Sequence, residues 1–147
     1  MAIWEWMLEA YAQPGVAQSC ETLQDRHGQS PPFLLWAVWA ETSDADLLAR
    51  AADLTRQWDA LVIVPLRSMR RDLKAAMSPI EDKAREALRD EVKAVELNAE
   101  RLLIETLHGL APHQAGAHAL AALEAASAAW GRPAPADALA ALAVALG

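Results

Sequence analysis

One cysteine, one phenylalanine and one tyrosine stand in a chain of 147 residues. The lone Cys20 excludes an internal disulfide framework. Nowhere do β-branched residues alternate with polar ones, so no half-buried strand is signalled. The only β-like run, Leu61 to Val64, lies inside a longer helical pattern. No stretch of about 18 residues is both apolar and free of charge, which leaves nothing to span a membrane. The alanine-rich C-terminal tail comes nearest, and its side chains are small. The N-terminus lacks a basic region and carries Glu5, so no signal peptide is expected. A glycine-rich phosphate loop, a nucleophile elbow and paired cysteines are all missing. No catalytic residue, cofactor or metal is therefore expected. Cationic charge is also short: 13 Lys and Arg against 20 Asp and Glu give a net charge of −7. That balance argues against a protein that coats nucleic acid and suits a cytoplasmic one.

What the chain has is helix-forming sequence. Hydrophobic residues make up 54%, alanine dominates, and leucine, glutamate and arginine add to a strongly helical composition. The length fits one domain over residues 1–147, an all-α bundle of six or seven helices. The first helix is expected over Ile3 to Tyr11 and the second from Pro14 to about His27, with Gly28 as a left-handed cap. Ser30 should cap a third helix with Pro31 at its first position. That third helix is apolar on nearly every side, which makes it the central one. Thr42-Ser43-Asp44 offers the next cap, before Ala45 to about Asp53. Gly131 to Pro135 divides the alanine-rich residues 111–147 into two shorter helices, whose last dozen residues are expected to fray.

The stretch from Trp58 to Lys74 organises the rest. Arg67, Arg70, Arg71 and Lys74 fall on one stripe of a helix, beside the apolar row Val62, Leu66, Met69 and Leu73. Pro65 should kink this helix near Leu61 or break it between Arg56 and Ala60. Ser78-Pro79-Ile80-Glu81 reads as a capped start for a long helix running to His108-Gly109. The short turn at Met77-Ser78 folds the two helices into a central antiparallel hairpin. The long helix carries an apolar stripe of Ile80, Ala84, Ala87, Leu88, Ala94, Val95, Ala99 and Leu102, interrupted by Glu91, Asn98 and Glu105. Carboxylates on a buried stripe need partners, and Arg67, Arg70 and Arg71 are the obvious ones. The expectation is an internal ion-pair network. The alternative is an open arginine seam holding a small anion.

Other residues weigh less. The six tryptophans are expected to fill the core of an alanine-rich protein, with Trp36 and Trp39 on one face. Asp25, Arg26 and His27 are catalytic in kind, and Cys20, Gln24 and His27 share a helical face. A capped, hydrogen-bonded helix corner accounts for them better. His108, His113 and His118 are five apart without sulfur company, a weak metal pattern.

Several pieces resemble a group of short proteobacterial proteins classed as a domain of unknown function. They are Trp6…Tyr11 to Val16, Cys20…Leu23 to Gly28, Leu34 to Trp39, Trp58…Val64 to Arg67, Arg70-Arg71…Leu73-Lys74, and Lys93…Glu96-Leu…Ala99-Glu-Arg101. They cover a family-like core within residues 1–110, leaving residues 111–147 unmatched. The resemblance implies a bacterial, helical protein and adds no catalytic residue. It groups Asp25, Arg26 and His27 with Arg67, Arg70, Arg71 and Lys74 and with Glu96, Glu100 and Arg101 as one polar cluster. The functional expectation is a non-enzymatic adaptor or regulatory module that binds a protein partner, or self-associates through the Ala-rich C-terminal helices. The runner-up is a small-anion-binding or enzymatic domain, built on Arg67, Arg70 and Arg71 with Asp25 or His27 alongside.

Overall fold

A computed structural model describes residues 1–111 and 114–147. Every regular element among them is helical: α1 (Ile3–Ala12), α2 (Val16–His27), α3 (Pro31–Ala40), α4 (Ala45–Trp58), a π-helical turn (Asp59–Ile63), α5 (Val64–Asp72), α6 (Asp82–Leu110), α7 (Ala119–Trp130) and α8 (Ala136–Leu146). With α4, the π turn and α5 counted as the one unbroken helix they form, the described residues hold seven helices. No described helix is long and apolar enough to cross a membrane. The chain divides into two compact units, residues 1–54 with 104–147, and residues 55–103.

The larger unit is built around α3. Phe33, Leu34, Leu35, Trp36, Ala37 and Ala40 are buried along it, and it lies against α7, α2 and α1. A helix this apolar can only sit in the middle. Ser30 caps it, its Oγ accepting from the Phe33 N–H at 3.4 Å, with Pro31 just inside. Asp44 caps α4 in the same way, Oδ1 accepting from the Asp46 N–H at 3.0 Å. Two expectations need correction here. The second helix begins at Val16 rather than Pro14, because Gly15 adopts a left-handed φ of 87° and closes a turn first. The C-terminal helix does not fray: α8 packs on α2 and buries Leu139 and Leu142. Small side chains permit that approach, and a Cβ on Gly15 would lie 3.5 Å from the Ala145 Cβ.

The smaller unit, residues 55–103, is a helical hairpin. Pro65 has no N–H to give to Leu61, and its ring crowds that carbonyl. The helix does not break between Arg56 and Ala60; its irregularity falls around Leu61, the other position expected. Its ladder widens at the π turn, where the Val64 N–H reaches back five residues to the Asp59 carbonyl. The return helix starts at Asp82, not at Pro79. The Ile80 N–H closes a turn on the Met77 carbonyl at 2.7 Å, and helical bonding begins only with Arg85 N–H to Glu81 O at 3.0 Å. Exposed Ile80 has no core to hold it in a helix.

Candidate functional site

The inner face of α6 within the hairpin is not the stripe that apolar spacing suggested. Arg85, Val92, Glu96, Ala99 and Leu103 are buried, with Arg89 and Glu100 half-buried. Glu91, Asn98 and Glu105, expected to face inward, are exposed, as are Ala84, Ala87, Leu88, Val95 and Leu102. The reason is physical. Hydrogen-bonded arginines and carboxylates took the interior, so hydropathy gave the wrong phase.

Glu96 is the centre of the cluster. Its carboxylate accepts from Arg70 Nε at 2.5 Å and Nη2 at 3.3 Å, a two-pronged contact, while Arg67 Nε lies 3.7 Å away. The pairing with Glu96 raises the Arg70 pKa and fixes its charge. One turn further along α6, burial pushes the Glu100 carboxyl up to about 7, with the neighbouring charge on Glu96 adding to the shift. Asp59, in the π turn, rises to about 6 through burial, partly offset by Arg67. Three carboxylates thus face two guanidinium groups, and burial favours the protonated form of Glu100 and Asp59 relative to an exposed carboxyl.

Arginines of α6 also finish the other helix. Arg89 Nε donates to the Arg70 carbonyl at 3.1 Å, and Arg85 Nε to the Leu73 carbonyl at 3.0 Å. Arg70 lies in the last turn of α5 and Leu73 just beyond it, where helix carbonyls run out of partners within the helix. Arg85 also holds Asp82 at 2.5 Å, and Trp58 Nε1 donates to the Ala99 carbonyl at 2.9 Å. Neither Arg85 nor Arg89 stood out in the sequence. Their four-residue spacing, in step with Val92 and Glu96, was the available signal.

Of the residues expected at a site, Arg67, Arg70, Glu96 and Glu100 come together in the hairpin. Arg71, Lys74 and Arg101 are exposed there. Asp25 and Arg26 are exposed and His27 is half-buried, all in the larger unit. Cys20 is buried, and desolvation pushes its thiol up to about 11, which disfavours the reactive thiolate. Trp36 alone of the six tryptophans is fully enclosed, and its Nε1 has no partner. Trp39 Nε1 donates to His108 Nδ1 at 3.3 Å, and its ring lies 5.5 Å from that of Trp6. His113 lies outside the described residues. Among the described residues no three His, Cys, Asp or Glu side chains form a group that could hold a metal ion.

An all-helical chain with a polar, arginine-stitched hairpin is the class that these features define. Residues 2–107 match the model of the family described as "Protein of unknown function (DUF2390)", and the chain belongs to that family. No curated protein and no solved structure matches it.

Proposed function

We propose that this is a non-enzymatic, cytoplasmic protein-interaction module, an adaptor or regulator folded as one domain, with residues 55–103 as its docking arm. One observation carries the reading. Leu88, Val95 and Leu102 recur every seven residues along one side of α6, at 49%, 51% and 55% exposure. Nine of the fifteen exposed large apolar side chains among the described residues fall in this arm, a third of the chain. Exposed apolar rows of this kind mark interaction surfaces.

The occupant we favour is a second copy of the chain. The row reads Leu, Val, Leu in both directions, so a two-fold axis at Val95 would set Leu88 against the partner's Leu102. Charge favours the same surface. The arm holds ten cationic and nine anionic side chains, whereas the larger unit holds three and eleven. Two copies would repel through the larger unit and not through the arm. The anion-seam reading has less support, since Arg67 and Arg70 already share Glu96.

Sedimentation at micromolar concentration tests this. The expected result is a dimer that Val95→Glu disperses and that Val144→Glu, an exposed site on α8, leaves intact. A monomer throughout, or a dimer indifferent to Val95→Glu, would sink the proposal.

A further inference from the structure

The larger unit is poor in cations, and two of its three lie together. Arg26, Arg50 and Arg132 are its only Lys or Arg residues, against eleven acids. Arg26 and Arg132 line one pocket of about 470 Å³ with His27, Pro133 and Pro135. No acidic side chain lines it among the described residues. In so acidic a unit, that sorting of charge calls for a cause.

Helix-end electrostatics explains part of it. Arg26 and His27 occupy the last turn of α2, where positive charge is favoured. It does not explain Arg132, which comes from the segment between α7 and α8, a hundred residues away in sequence. The two segments are latched together at Trp130 and at Arg132 itself. Trp130 Nε1 donates to the Gly28 carbonyl at 2.7 Å, and Gln29 Nε2 donates to the Arg132 carbonyl at 2.9 Å. Gly28 turns the chain at φ 63°, and Pro133 and Pro135 stiffen the opposite wall. Both backbones are therefore fixed before any ligand arrives, which lowers the ordering cost of binding.

We propose that this corner binds the phosphate group of a small molecule. Two guanidinium forks and an imidazole supply donors from two walls, which suits a tetrahedral oxyanion better than a planar carboxylate. The volume lies within the usual range for small-ligand sites, about 300–1,000 Å³. The site lies wholly in the larger unit, and the proposal does not depend on the docking arm.

Calorimetric titration of the full chain with inorganic pyrophosphate, and with citrate in parallel, tests it. Saturable pyrophosphate binding is expected, weakened about tenfold in each of Arg26→Ala and Arg132→Ala. Arg50→Ala, which removes the unit's third cation, should bind as the unaltered protein does. Arg26 and Arg132 are exposed, so unchanged melting curves are expected to accompany the loss. Absence of saturable binding, equal binding by the Arg26→Ala/Arg132→Ala double variant, or citrate bound as tightly as pyrophosphate would each overturn the assignment.

Discussion

The two units solve the same problem, holding helices together, with different chemistry. Residues 1–54 and 104–147 enclose Phe33, Trp36, Leu23, Leu48, Ile104, Leu107 and Leu123 almost completely. Residues 55–103 bury only Ile63, Val92, Ala99 and Leu103 among apolar side chains, and set Arg85 and Glu96 beside them. Apolar burial is non-directional and tolerates many packings. Arginine pairs and arginine–carbonyl bonds are directional, and they specify which turn of α6 faces which turn of α5. A two-helix hairpin has little interior to enclose, so its register rests on polar contacts.

This contrast can be broken from either side. The largest effect is expected in the larger unit: Trp36→Ala should cost about 4 kcal/mol in denaturant unfolding, through lost burial and the cavity left behind. Arg70→Ala should cost about 3 kcal/mol, near the low end for a stranded buried charge because Arg67 stays beside Glu96. The sharper comparison is the double variant Arg70→Met/Glu96→Leu, which should recover that loss, since a packed apolar pair replaces the ion pair. If the double variant is as unstable as Arg70→Ala, the pair contributes more than mutual neutralisation. A smaller effect attaches to Glu100. Its carboxyl is raised from the ordinary 4.5 to about 7 in the fold, so the folded state holds the proton more tightly than the unfolded chain. The hairpin's stability from this group is complete below pH about 4.5 and falls as pH rises through about 7. Glu100→Gln should flatten that slope and stabilise the protein at pH 8 by on the order of 1–2 kcal/mol.

The larger unit was legible because its signals are local or periodic. Ser30-Pro31, Asp44, Gly28 and the all-round apolar α3 each announce themselves within a few residues. The hairpin's existence was legible from the turn at Met77-Ser78, but its phase was not. Leu88, Val95 and Leu102 form the better apolar row, and the helix turned it outward. Arg85 and Arg89 reach carbonyls of α5, and a backbone acceptor leaves no trace in side-chain spacing. The pairing of Arg26 with Arg132 was likewise hidden, because two turns a hundred residues apart meet only in the folded chain.

The π turn at Asp59–Ile63 has a consequence for changes in chain length. It stores one surplus residue within a continuous helix, so the faces before and after it keep their alignment. A residue deleted inside the turn would draw on that surplus and leave Arg67 and Arg70 facing Glu96. A residue deleted between Leu66 and Met69 would instead swing Arg70 by about 100° and part it from its carboxylate. The stretch that defies ideal helical geometry is thus where the hairpin can lose a residue and still keep its register.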